Sequence, residues 1–159
     1  MRKFLLFISL ISVLMSACSS SKNTTSYKKK KASTKDKVVA NALVFKGRKY
    51  KFGGTTKKGM DCSGVVFMAY KKENIQLPRV SRDMAKQGKK ISLKEARKGD
   101  LLFFRTSKRN RRINHVGLII SVQNKQIKFI HSTSSKGVII SSLSQKYWKN
   151  AFVKATKVL

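Results

Sequence analysis

At 159 residues the chain has room for one compact domain of ordinary size. Its two cysteines, Cys18 and Cys62, are too few for a disulfide-dense scaffold. The balance of 37 Lys and Arg against 6 Asp and Glu, a formal charge of +31, points to anionic partners and says nothing about fold.

The chain opens with Arg2 and Lys3, an apolar run from Phe4 to Met15, and then Ser16-Ala17-Cys18. A basic start, a short apolar run and small residues read as a secretory signal peptide over residues 1–17. The run is shorter than the roughly 20 residues needed to cross a bilayer. A cysteine directly after the small residues resembles a bacterial lipobox, with Met15 where Leu is usual, so Cys18 is the expected lipidation site. Ser19 to about Asp36 is polar, with a lysine run at 28–31. It lacks the apolar surface to offset the cost of ordering and is expected to be a disordered tether over residues 18–36. Export turns the charge away from nucleic acid, the first guess for a basic cytoplasmic protein, and toward wall polymers and anionic lipid.

Residues 37–159 form the expected domain. Val38, Val39, Ala42, Leu43 and Phe45 recur at helical spacing, which predicts a helix from Lys35 to Lys46 ending near Gly47. An extended piece, Tyr50 to Phe52, is broken by Gly53-Gly54. The stretch from Val65 to Lys72 predicts a helix with one buried side, capped by Asp61, so Cys62 falls in its first turn. A shorter helix is predicted over Ser81 to Gln87, stopped by Gly88. Beyond it, Leu101–Arg105, Val116–Val122, Gln126–His131, Gly137–Ser141 and Phe152–Val158 read as strands, with Asn124-Lys125 as a hairpin turn. Helices followed by adjacent strands indicate an α+β fold with an antiparallel sheet of about five strands. A basic loop, residues 105–114, precedes His115.

The domain holds one cysteine and two histidines, Cys62, His115 and His131. A thiol at a helix start gains stabilisation as thiolate from the unpaired amides there. An imidazole beside it can take its proton, and a third polar group can fix the imidazole tautomer. Opening one hairpin strand and closing the next, the two histidines are expected at the same end of the sheet. The turn offsets match imperfectly and need a bulge or a longer loop. The residue types alone leave two other readings open: a small buried cysteine with core histidines, and a three-ligand zinc site that lacks the usual close ligand pair.

Six segments narrow the choice. Gly47-Arg48-Lys49-Tyr50-Lys51-Phe52-Gly53-Gly54, Asp61-Cys62-Ser63-Gly64, Leu77-Pro78-Arg79, Lys98-Gly99-Asp100-Leu101, His115-Val116-Gly117 and Phe129-Ile130-His131 follow in an order and spacing similar to the NlpC-type family of cell-wall cysteine peptidases. The resemblance runs from about Val38 to the C-terminus. It implies a papain-like α+β fold, Cys62 as nucleophile, His115 as general base and His131 as the residue orienting it. It places the Tyr50 hydroxyl beside the developing oxyanion, sets Asp61 and Ser63 toward polar groups of the substrate, and offers Arg79 to a stem-peptide carboxylate. Lys49 stands where relatives often carry Pro. The implied reaction needs no metal or other cofactor. Its substrate is peptidoglycan, cut at the D-Ala–diaminopimelate cross-link in preference to the γ-D-Glu–diaminopimelate bond. The remaining expectations are a monomer, anchored through an N-terminal lipid to a membrane, the outer one facing the periplasm, with no nucleic-acid partner. A non-catalytic wall-binding lipoprotein, or an acyltransferase or other amide hydrolase on the same scaffold, are the alternatives.

Overall fold

This computed structural model describes residues 31–159, except 108 and 110. The expected leader, the expected lipidation site Cys18 and most of the expected tether lie outside the described residues. Order is already present before residue 37. Ser33 caps the first helix, α1 (Thr34–Leu43), and a capping box pairs its side chain with the Asp36 amide and the Asp36 carboxylate with the Ser33 amide. Such caps contribute about 1 kcal/mol. The helix ends at Val44, and two turns lead to Gly47, whose φ of +82° is one a β-carbon disfavours.

Two short strands, β1 (Thr55–Thr56) and β2 (Gly59–Met60), form a small hairpin that hands the chain to α2 (Cys62–Lys71). The anticipated extended piece at Tyr50–Phe52 reduces to one bridge between Tyr50 and Met60. Asp61 caps α2 by accepting from the Gly64 amide at 2.6 Å. The next helix, α3, is shorter than its sequence pattern, Ser81–Met84, with turns filling the rest to Gly88.

Six antiparallel strands make the main sheet: β3 (Lys89–Ile91), β4 (Leu101–Phe104), β5 (His115–Gln123), β6 (Gln126–Thr133), β7 (Gly137–Ser142) and β8 (Phe152–Lys157). Their order is β3-β8-β4-β5-β6-β7. The α+β architecture is as expected, with one strand more than anticipated. That strand, β3, reads Lys-Lys-Ile and carries too little apolar character to announce itself. Also unanticipated is α4 (Lys146–Ala151), six residues with no side-chain cap.

Both faces of the sheet are covered, which is why β4 is apolar at every position. Leu101, Phe103, Val116, Leu118 and Ile130 pack under α1 and α2 around Val65, Val66 and Tyr70. Leu102, Phe104, Ile119, Phe129 and Ala155 face the other way and are closed by Trp148 of α4. The Asn124-Lys125 turn has φ of +49° and +62°, the left-handed pair that suits a two-residue hairpin. Among the described residues no helix is long and apolar enough to cross a membrane.

Candidate active site

The hairpin register decides where the histidines point. Near the turn Gln123 pairs with Gln126 and Ser121 with Lys128. Beyond a bulge at Ile120, Ile119 pairs with Phe129 and Leu118 with Ile130. Continued without the bulge, the turn's register would set His131 opposite Leu118, on the face away from His115. With it, His131 falls opposite Gly117, and His115, Gly117, Phe129 and His131 share one face. Gly117 leaves room there: a β-carbon at that position would lie 2.4 Å from the Phe129 ring.

The two rings meet. His115 Nε2 lies 2.9 Å from His131 Nδ1, and His131 Nε2 lies 2.9 Å from Ser141 Oγ on β7. The result is a buried hydrogen-bonded line of three side chains on three adjacent strands. Trp148 roofs it, stacked on His115 at 5.2 Å between centroids and edge-on to His131 at 4.5 Å. Excluding water strengthens such a line, because each bond then competes with no solvent. Ser141 was not singled out by sequence, where nothing distinguishes it from its serine neighbours. Trp148 is the one tryptophan of the chain, and with Tyr147 it belongs to the C-terminal stretch that shares the family resemblance.

Cys62 is the first residue of α2 and 9% exposed. It lines a cavity of about 230 Å³ together with Tyr50, Thr106, Asn114, His115, Tyr147 and Trp148. Burial pushes the thiol pKa up, while the Val116, Ser63 and Cys62 amides act in the opposite direction by hydrogen bonding to it. Burial likewise holds His115 down at about 4, and burial followed by the charge of His115 holds His131 down at about 3. The resting pair is therefore a neutral thiol and a neutral imidazole near pH 7, with the imidazole free to take a proton. Nε2 of His115 is committed to His131, so of its two ring nitrogens only Nδ1 lies outside that bond. Tyr50 is 36% exposed. Burial, then the nearby Cys62 and Asp61, raise its pKa, so its hydroxyl stays a donor.

Asp61, Ser63 and Arg79 form a second cluster behind the thiol. Arg79 makes two bonds to the Asp61 carboxylate, 3.0 Å through Nη1 and 2.8 Å through Nη2, and donates to Ser63 Oγ at 2.8 Å and the Gly54 carbonyl at 3.2 Å. Asp61 also accepts from the Gly53 and Gly64 amides. The arginine is thus turned inward onto the helix cap, and the cluster clamps the Gly53-Gly54 loop against the start of α2. Across the cavity the Ser132 hydroxyl donates to the Met60 carbonyl at 2.8 Å, tying β6 to the residue before that cap. Asn114 closes the basic loop through bonds with the Thr106 amide and hydroxyl. No group of three His, Cys, Asp or Glu suited to a metal ion occurs among the described residues.

Residues 47–157 match the NlpC/P60 family. The chain belongs to this family. It is 39% identical over 126 residues to the murein DD-endopeptidase MepS/murein LD-carboxypeptidase of Escherichia coli K12, covering 79% of this chain and 63% of that protein. It therefore spans less than two thirds of that relative's length. It is 36% identical over 113 residues to the probable endopeptidase NlpC of the same organism, covering 70% of each. Among solved structures, an NlpC/P60 family protein from Bacillus cereus superposes with a TM-score of 0.71 at 28% identity, over 79% of this chain and 40% of that one.

Proposed function

We propose that the protein is a cysteine endopeptidase that hydrolyses peptide bonds in peptidoglycan, favouring the D-Ala–diaminopimelate cross-link over the γ-D-Glu–diaminopimelate bond. The observation that carries this reading is a thiol at a helix start sharing a cavity with an imidazole whose far nitrogen is held by a second histidine. Similarity to a murein DD-endopeptidase supports the choice of substrate and bond.

In this reading Cys62 Sγ attacks the carbonyl carbon as His115 Nδ1 takes the thiol proton. The oxyanion is met by amides at the start of α2 and by the Tyr50 hydroxyl. One such donor lowers the barrier by about 2.7–4 kcal/mol. His115 returns the proton to the amine, the C–N bond breaks, and a thioester remains. Water, deprotonated by His115, then attacks the thioester and releases the new carboxylate and the free thiol. His131 holds the imidazole in place throughout. Asp61, Ser63 and Arg79 shape the cap beneath the thiol, with Asp61 and Ser63 also near the substrate's polar groups. Cys18, as a lipidated first mature residue, and the tether after it place the domain on a membrane within reach of the wall, the outer membrane facing the periplasm.

Digestion of purified peptidoglycan by the full chain and by Cys62→Ala, with fragments identified by mass spectrometry, tests this reading. Conversion of cross-linked dimers to monomer stems by the native chain alone is the expected result. Fragments ending in γ-D-Glu would move the bond, and identical digests from both proteins would overturn the peptidase reading.

A further inference from the structure

A second cleft, of about 670 Å³, adjoins the thiol cavity and is lined by Arg105, Thr106, Ser107, Arg111, Tyr147 and Asn150, along with Ala151. Thr106 and Tyr147 belong to both, so the two spaces share a wall. Tyr147 lies edge-on to Trp148 at 4.8 Å, and Trp148 stacks on His115. The cleft therefore opens on the imidazole side of the thiol. The leaving amine must lie on that side, because His115 hands it the proton.

Two arginines, a tyrosine and an asparagine line the cleft, with no acid among its lining residues, and Arg105 Nη1 donates to the Arg111 carbonyl at 3.5 Å. Nor can one arrive from nearby in the chain. No Asp or Glu follows Asp100 in the sequence. The acids before it are engaged elsewhere: Asp36 with Lys98, Asp61 with Arg79, Asp83 with Lys86, Asp100 with Lys35, Glu73 with Asn41 and Glu95 with Ser92. Guanidinium groups match carboxylates in shape as well as charge. The counter-charge for this cleft has to come with the substrate.

The candidate bonds differ at one point. In a D-Ala–diaminopimelate cross-link, and in a stem ending in a D-amino acid, the leaving nitrogen sits on a carbon that also carries a free carboxylate. In the γ-D-Glu–diaminopimelate bond of a stem that continues past diaminopimelate, the corresponding carboxyl is already an amide. We infer that Arg105 and Arg111 bind the carboxylate on the carbon bearing the leaving nitrogen, and that this cleft selects cross-links and terminal D-residues over bonds inside a stem. The inference rests on the peptidase reading above and supplies the residues that would set its bond preference.

The test compares a cross-linked dimer whose carboxylate beside the scissile nitrogen is free with the same dimer amidated there. The full native chain and Arg105→Gln/Arg111→Gln are assayed for kcat/KM on both. The native chain is expected to favour the free acid by roughly ten- to a hundredfold, as charged hydrogen bonds of this kind do, and the double variant to bring the ratio near one. Circular dichroism of the variant guards against misfolding. An equal rate on both dimers by the native chain, or an unchanged ratio in the variant, would overturn the inference while leaving the peptidase intact. Titration of the two dimers into Cys62→Ala by calorimetry reads the cleft without turnover. Tighter binding of the acid, lost in a triple variant carrying both Gln substitutions, supports the inference even if neither dimer is cut, and equal affinity overturns it.

Discussion

At His131 both ring nitrogens are engaged, one by His115 and one by Ser141, and their order fixes which proton goes where. For His115 Nδ1 to accept from the thiol, its Nε2–H must donate to His131 Nδ1, and His131 Nε2–H must then donate to Ser141 Oγ. If the serine hydroxyl donated instead, the chain of protons would reverse and His115 would present an N–H to Cys62, the wrong tautomer for a base. Replacing His131 by Ala is expected to lower kcat by about 10²–10⁴ with a much smaller change in KM. Ser141→Ala removes only the far acceptor, and a loss of roughly tenfold in kcat is expected. Steady-state kinetics on cross-linked dimers measure both, and an unaltered kcat in His131→Ala would show that the line of histidines has no part in turnover. Cys62, His115 and His131 stood out in the sequence because each is nearly the sole residue of its kind, and the fold brings the two histidines together. Ser141 was not, because its role exists only once β7 lies beside β6.

Among the elements, the start of α2 is tightly constrained. Gly54 lends its carbonyl to the Asp61 amide and the Arg79 guanidinium, and a β-carbon on Gly64 would stand 2.1 Å from that same carbonyl oxygen. Gly64 lies in the first turn of the helix, where alanine would ordinarily gain about 1 kcal/mol. Here the contact is with backbone, which cannot swing aside as a side chain would. Gly64→Ala is therefore expected to destabilise the domain by about 1–3 kcal/mol, the usual cost of overpacking. Denaturant unfolding measures this, and a variant more stable than the native chain would contradict the described packing of loop on helix. The helix itself and its Asp61 cap follow from local sequence. The clamp by Arg79 does not, since it joins residues 18 positions apart.

For the whole molecule, pH bears on stability through the two buried histidines. The unfolded chain protonates histidine near pH 6.5, whereas the folded one holds His115 to about 4 and His131 to about 3. Between those limits the unfolded state binds more protons, so stability rises with pH and falls on acidification. The contribution is complete above about pH 6.5 and drains as pH drops toward 4, on the order of 3 kcal/mol for His115 alone. Asp36, whose carboxyl Lys98 and Ser33 hold down at about 2, adds a further loss at still lower pH. Thermal unfolding from pH 8 to pH 4 is expected to show a falling melting temperature that begins near pH 6.5. A flat profile down to pH 4 would mean the histidines are not buried as described. The charge of the molecule is uneven as well. Every Asp and Glu lies at or before Asp100, so the charged side chains in the part of the sequence that carries both histidines are all basic.

Sequence by itself determined the chemistry available, the helix that starts at Cys62 and the strands that carry the histidines. Each of these follows from residue type and local periodicity, which act over a few positions. It also placed the hairpin turn at Asn124-Lys125 and exposed an offset mismatch, which left a bulge and a longer loop equally open. Only the tertiary structure decided the rest. The bulge at Ile120 set the side to which His131 points, the neighbouring strand supplied Ser141, and a six-residue helix without a cap delivered Trp148 onto both rings. Arg79 turned inward to the helix cap, and Arg105 and Arg111 came to flank one cleft. These arrangements depend on contacts between residues distant in sequence, whose free energies appear only when the sheet is assembled, and no local pattern encodes them.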